Sequence, residues 1–369
     1  IQIEATAAIN KMYDFKFDDA EKEFNWLVQE YKNHPLPIFL KGLSLWWKID
    51  AYSGLPDKNK NDKLQKLDDD FLEVMDQSIS ISKSIYKNGN QIDGAFFLAA
   101  SYGFKGRLLS ERKKWRSAAL AGFNALKYLK EIRQDKLMIP EISFGNGLFN
   151  YYSVWISNRY PILRPLVKLF PDGDKVEGID QLKSAARNSF YTRTEAQTFL
   201  VRIYSGENNL REATFLSKYL FETFPDNSIF HRYYTQLLYR SSNFFMCKEE
   251  SLRIIENYKN KKFGYYANDM RLAHFYLGEI FLSEKKIDEA IFEWMGYEKE
   301  EIKQLMSQDT PAQPLKLDMQ HPPMESPEDM IKHMRSMVQE GHTDEQIMEL
   351  HPEIKQFFGD TDGEETQGS

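Results

Sequence analysis

The chain of 369 residues has a single cysteine, Cys247, which excludes an intrachain disulfide and any cysteine-cluster metal site. Without a reactive partner it reads as a small apolar packing residue. No run of about 18 apolar residues occurs, so no membrane-spanning helix is expected. Gly-x-Ser-x-Gly, His-Glu-x-x-His, haem-attachment and P-loop signatures are all missing. No catalytic residue and no cofactor is therefore predicted. A glycine-bearing run at 94–106, GAFFLAASYGFKG, has neither a preceding strand nor a Lys-Ser or Lys-Thr ending. Gly94, Gly103 and Gly106 are read instead as small residues where helices cross.

What the chain does have is a recurring pattern of small and bulky residues, clearest at 272–294, LAHFYLGEIFLSEKKIDEAIFEW. Gly278 and Ala290 stand twelve apart, with Leu277, Phe281, Ile287 and Trp294 around them. Two helices joined by a turn can meet at the small residues while the large ones fill the crossing. This stretch resembles a tetratricopeptide repeat. Ala20, Ala118 and Ala213 carry related surroundings, with Ala8, Gly106 and Val201 twelve residues earlier. The resemblance implies an all-α fold: an irregular TPR-like α-solenoid, a right-handed superhelix of helix pairs, over 1–304.

Along the chain, 3–13 and 18–31 form a first helical pair, closed by Asn33, His34, Pro35 and Pro37. The apolar helix 39–49 brings Gly42 into close packing. Its adjacent Trp46 and Trp47 are expected to place one ring in the core and one at a partly exposed edge. The lysine-rich stretch 54–67 reads as a mobile loop before a helix at 69–86. Helices at 93–109 and 114–132 follow, and Arg107, Arg112, Lys113, Lys114 and Arg116 make the strongest basic cluster, a solvated turn or a dock for an acidic partner. Later come a third repeat at 194–225, a pair at 228–258, and a basic, aromatic turn at 260–266, NKKFGYY. One such turn on a nearly neutral body does not predict nucleic-acid binding.

The central segment 144–188 is different. FGNGLFNYYSVW is a glycine- and aromatic-rich helix, ILRPLVKLF a proline-bounded connector, and a short helix begins near Glu177 and Gly178. This layout resembles the eukaryotic tetratricopeptide family linked to the outer mitochondrial membrane and inclusion-body clearance, and equally bacterial envelope repeat proteins. The connector could touch a membrane surface, giving peripheral association, or pack its leucines while Arg164 and Lys168 snorkel. Tyr151, Tyr152 and Trp155 could stack on a sugar, as a sugar-active envelope enzyme would require, but are read as core. The chain opens on Ile1, which fits a mature chain after leader removal or a trimmed one. Together with the resemblance this favours a bacterial periplasmic or envelope location over the cytoplasm.

Beyond residue 304 the composition changes. Residues 305–369 hold 14 acidic against 4 basic residues, seven of the 13 methionines and four of the seven histidines. With a net charge of −7 for the whole chain, the preceding residues sum to about +3. A proline-rich linker is expected at 305–326, a small acidic, methionine-rich helical hairpin at 327–358, and a disordered acidic end at 359–369. Ser326-Pro327 starts the first helix of the hairpin, whose apolar face carries Met330, Met334 and Met337. Thr343 to Gln346 cap the second. The alternative for this segment is soft-ligand copper(I) chemistry, with His333 and Met337 as candidate ligands.

These readings converge on a non-catalytic scaffold that holds a protein or peptide on its concave face, with the hairpin as a docking element. By resemblance to the repeat family, Phe275, Glu279 and Leu282 would face that groove, and Met330, Met334 and Met337 would dock the hairpin. No nucleic-acid partner is expected.

Overall fold

The computed structural model describes residues 1–52, 57–132, 139–159, 161, 164–168, 170–286 and 289–290. The chain divides into two units, Ile1–Lys303 and Gln304–Ser369. The described residues all belong to the first, so the expected linker, hairpin and acidic end lie outside them. Among the described residues there is no strand. The helices are α1 (Gln2–Tyr13), α2 (Phe17–Glu30), α3 (Pro35–Ala51), α4 (Asp57–Asn88), α5 (Gln91–Glu111), α6 (Trp115–Glu131) and α7 (Ile139–Arg159). They continue as α8 (Arg164–Val167), α9 (Lys175–Asn188), α10 (Arg193–Gly206), α11 (Leu210–Thr223), α12 (Ser228–Arg240), α13 (Phe244–Lys259) and α14 (Ala267–Ser283). The fold is an all-α solenoid in which α1 pairs with α2, α3 with α4, α5 with α6, α7 with α9, α10 with α11, and α12 with α13.

Local chemistry sets the helix starts. Asn90, Asp174 and Asn227 each turn a side-chain oxygen onto two backbone N–H groups in the first turn of α5, α9 and α12, satisfying donors that have no partner inside the helix. Pro35 and Pro37 do not only end α2. They occupy the first turn of α3 behind a His34 cap, where a missing N–H costs nothing.

One turn geometry recurs and defines the repeat. Phe15, Lys113, Asn208, Ser242 and Lys285 all have φ between 57° and 61°. The N–H of the next residue closes back onto the carbonyl five positions before it: Lys16 to Lys11, Lys114 to Leu109, Asn209 to Tyr204, Asn243 to Leu238 and Lys286 to Phe281, at 2.8–2.9 Å. This is the left-handed closure that satisfies the last carbonyls of a helix. Five residues after each such turn stand Ala20, Ala118, Ala213, Cys247 and Ala290. The cysteine therefore occupies an alanine position. It is fully buried, with Sγ 3.8 Å from the carbonyl of Thr235, twelve residues back. Lys261 makes the same turn between α13 and α14, with Tyr266 in place of a small residue.

The α7–α9 pair crosses differently, backbone on backbone. A Cβ on Gly147 would sit 2.9 Å from the Gly178 carbonyl, and one on Gly178 would sit 2.6 Å from the Tyr151 nitrogen. No larger residue fits either side without parting the helices.

Four expectations are corrected. The stretch 54–67 is not a loop throughout, because α4 starts at Asp57 and Leu64 is buried. Leu64, Leu67, Phe71 and Met75 recur every three or four residues, so one face of a charged helix reaches the core. Trp46 and Trp47 are both 1% exposed; the edge expected for the second ring is covered by Phe230 of α12, at 5.4 Å. Gly103 meets nothing within 4 Å of where its Cβ would be, unlike Gly94 against Tyr86 and Gly106 against Ala121. Ala118 is only half-buried: its carbonyl oxygen stands 3.3 Å from where a Gly106 Cβ would be, but the side chain in the crossing is that of Ala121, one turn on, also at 3.3 Å.

The solenoid winds tightly enough for its first pairs to meet its fifth and sixth. Tyr13 packs on Phe224 at 5.6 Å and Phe15 on Phe263 at 5.8 Å. Asn227 Nδ2 donates to the Tyr13 carbonyl at 2.7 Å, and the Asp226 N–H donates to Asp14 Oδ1 at 2.9 Å. The basic, aromatic turn at 260–266 is consumed here: Lys262 pairs with Asp226 at 2.7 Å, and Phe263 also meets Phe17 and Tyr52. Each large apolar side chain fully removed from water at such a contact contributes roughly 1.5–3 kcal/mol.

Candidate functional site

The first helices of the second, third, fifth and sixth pairs, α3, α5, α10 and α12, turn side chains toward one another. On α5, Arg107 and Glu111 are four apart. On α10, Glu195, Phe199 and Arg202 are spaced four and three, and on α3, Trp46 and Asp50 are four apart. Residues at those spacings share one helix face, and here the faces meet. The Arg107 guanidinium lies between Trp46 at 4.0 Å and Phe199 at 4.7 Å. It is 3.6 Å from Glu111 and 3.7 Å from Glu195. Arg202 donates to Asp50 at 2.9 Å and to the Tyr233 hydroxyl of α12 at 2.6 Å.

Glu195 accepts from Trp47 Nε1 at 2.8 Å through one oxygen, while the other is buried without a hydrogen-bond partner among the described residues. Burial pushes the Glu195 carboxyl above its ordinary range, against the opposing pull of Arg107. The interior at this level is occupied by the protein's own side chains. It ties α3, α5, α10 and α12 together.

Beyond that level, α14 presents an open face. Leu272, Phe275, Glu279 and Leu282 follow one another at three- and four-residue intervals, so they line one side of the helix. Phe275 and Leu282 are each 44% exposed and Leu272 is 42% exposed, while Glu279 is half-buried. Tyr239 at the end of α12 extends the face, stacked on Tyr276 at 4.6 Å and edge-on to Phe275 at 6.2 Å. Burial, with the Glu279 carboxylate adding to it, pushes the Tyr239 phenol up. Beside it Arg240 donates to the Ser205 carbonyl at 3.0 Å. The surface is apolar, with the Glu279 carboxylate within it and the Arg240 guanidinium at its margin.

The structure thus brings Phe275, Glu279 and Leu282 to one face. Met330, Met334, Met337 and His333 lie outside the described residues. Tyr151 is buried and donates to Glu207 at 2.7 Å; Tyr152 and Trp155 pack edge-on to one another at 5.9 Å. The basic cluster around 107–116 is divided. Arg107 points inward, Arg112 pairs with Asp68 at 2.5 Å, and Lys113, Lys114 and Arg116 are exposed. Among the described residues no group of three or more His, Cys, Asp or Glu is placed to hold a metal ion, and no helix is long and apolar enough to cross a membrane.

One polar cluster had no sequence signal. His231 Nδ1 lies 2.8 Å from the Tyr265 hydroxyl and Nε2 lies 3.0 Å from Glu250, whose carboxylate also accepts from Arg253. His231, Glu250 and Tyr265 come from α12, α13 and the following turn, and each is buried. Burial lowers the His231 pKa despite the Glu250 carboxylate beside it. Sealed from solvent, the three groups link the sixth pair to the turn after it.

No family model matches the chain, and no curated protein matches it. Among solved structures it is similar to a human IFIT1 dimer with PPP-AAAA, over 79% of this chain and 69% of that one, at 13% sequence identity and a TM-score of 0.31. A likeness of that size assigns no function. The fold assignment stands on the helix pairing and the recurring turn.

Proposed function

We propose that this chain is a non-catalytic scaffold that binds a segment of another protein along α12 and α14. The observation that supports the reading is the contrast between two inner surfaces. At the level of α3, α5 and α10 the inner faces are filled by Trp46, Arg107, Phe199 and Arg202. On α14 three large apolar side chains on one face, Leu272, Phe275 and Leu282, remain 42–44% exposed. An amphipathic helix laid along such a face is read by anchors at three- and four-residue spacing. The Tyr239 and Phe275 rings supply the rigid aromatic area that dominates such contacts. Glu279 within the face and Arg240 at its margin would set its direction, through a basic and an acidic residue on the segment.

Peptide-display selection against the intact chain tests this. Selected peptides should carry apolar residues at helical spacing, and a Phe275→Asp, Leu282→Asp variant with an unchanged circular dichroism spectrum should bind them at least tenfold more weakly. Equal binding by parent and variant would remove this face from consideration. The methionine face of 327–358 is proposed as a second docking element of the same scaffold. The check is whether replacing Met330, Met334 and Met337 by serine in the intact chain weakens retention of a partner identified through the first surface.

A further inference from the structure

The second helix of the third pair, α6, has an outward face on which apolar and basic side chains stand together. Arg116, Leu120, Phe123, Lys127 and Lys130 lie within one side of the helix, at spacings of four, three, four and three, and all are exposed. Leu120 is 67% exposed and Phe123 is 55% exposed. The inner side of the same helix turns Ala121 and Leu129 into the core. Thus Leu120 and Phe123 stand out of the fold as a protruding apolar ridge with cations at both ends.

The neighbouring connector continues this surface. Phe170 packs on Phe123 at 5.6 Å and on Phe149 at 6.3 Å, and the chain leading to it exposes Arg164 and Lys168. Residues 112–130 contain six Lys and Arg and no acid. Residues 142–171 contain three more and again no acid. Glu131 and Asp172 stand where these two segments end. Among the described residues Arg116, Lys127, Lys130 and Lys168 form no ion pair, whereas Arg112 is held by Asp68.

We propose that this face of α6, with Arg164, Lys168 and Phe170 of the connector, is a docking surface for an anionic lipid bilayer. Three features select that occupant. The face is cationic without a carboxylate among its own segments, so its partner is anionic. Its centre is aliphatic and aromatic: acyl chains take up both Leu120 and Phe123, whereas a base could stack on Phe123 but gains nothing from the more exposed Leu120, which favours the lipid. Its shape is a ridge, which a deformable surface accommodates and which a rigid partner could cover only with a matching groove. Each Lys or Arg near an anionic leaflet contributes about 1 kcal/mol, a factor of about five in partitioning. Apolar insertion by Leu120 and Phe123 adds to that. This inference is independent of the peptide surface on α14.

The test is co-sedimentation of the intact chain with vesicles of phosphatidylcholine alone and of phosphatidylcholine with about one-third phosphatidylserine. Single-stranded oligonucleotide is a parallel probe. Binding is expected to the anionic vesicles only, and to weaken as salt rises toward 1 M. Leu120→Ser with Phe123→Ser should reduce it at least about tenfold. Arg116→Gln with Lys127→Gln should reduce it about twenty-five-fold, as two factors of five. All four side chains are exposed, so both variants should keep the parent's circular dichroism spectrum; either one alone suffices if the other does not fold. No binding of the intact chain to anionic vesicles overturns the proposal, as does binding undiminished in a folded variant. Retention on the oligonucleotide without vesicle binding would make the face a nucleic-acid surface instead.

Discussion

Replacing Gly178 by alanine separates backbone contact from ordinary side-chain packing. A methyl group there would stand 2.6 Å from the Tyr151 nitrogen, 2.9 Å from the Gly147 carbonyl oxygen and 3.1 Å from Asn150 Cβ. All three atoms belong to α7 and two are main chain, so no rotamer change relieves the clash. Restoring normal contact near 3.5–4.0 Å requires α9 to move off α7 by about 1 Å. That loosens Leu182 and Ala185, both fully buried.

Overpacking of this kind costs about 1–3 kcal/mol, with a backbone clash toward the upper end. Alanine returns up to about 1 kcal/mol in helix propensity, leaving a net loss of about 1–2 kcal/mol. Gly103→Ala is the control. It lies inside α5 with nothing within 4 Å of its missing Cβ, so only propensity acts, and a gain of about 0.5–1 kcal/mol follows. Urea denaturation followed by circular dichroism reads both. Amide hydrogen exchange should place the weakening of Gly178→Ala in α7 and α9. If Gly178→Ala unfolds at the same or higher urea than the parent, the two main chains are not in contact and the crossing described for the fourth pair is wrong.

Two further outcomes follow from buried groups. Burial raises the Cys247 thiol to about 11, so the native protein at neutral pH should be inert to a thiol reagent such as Ellman's reagent and release one equivalent only on unfolding; rapid native labelling would contradict the alanine-position assignment. For Glu195, the folded-state pKa lies above its unfolded value because of burial. Its favourable contribution is therefore full below the unfolded pKa and is lost as pH rises through the folded pKa. Glu195→Gln keeps an acceptor for Trp47 and removes the titration. Its stability relative to the parent should be highest near neutral pH and decline on acidification toward pH 4, as read by urea midpoints at matched ionic strength; a difference constant with pH would refute the burial argument.

The α-helical repeat was legible because it depends on local rules. Small residues at fixed offsets, turn residues and capping Asn and Asp act within one helix pair, and each pair repeats the same solution. Even Cys247 could have been placed, since Ser242-Asn243 stands before it as Asn208-Asn209 does before Ala213, and Lys113-Lys114 before Ala118. Non-glycine residues in the left-handed region hid that signal, because glycine is the usual marker of such a turn. The α4 extension was missed because its charged, lysine-rich first turns look solvated until Leu64 and Leu67 are seen on the face that Phe71 and Met75 continue.

By itself, then, the sequence determined the class of fold, the helix pairs and the small residues at most of their crossings, for these rest on contacts between near neighbours in the chain. It also put Phe275, Glu279 and Leu282 on one helix face, because helical periodicity alone does that. Only the tertiary structure decided which inner faces are filled and which stay open. Trp47 meets Glu195 across 148 residues and Asp50 meets Arg202 across 152. Asn227 reaches the Tyr13 carbonyl across 214. How far each pair rotates on the last sums over many packings, and no local pattern encodes that sum. The same accumulated rotation packs Phe263 of the 260–266 turn against Phe15 and Phe17 while leaving Leu120 and Phe123 in solvent.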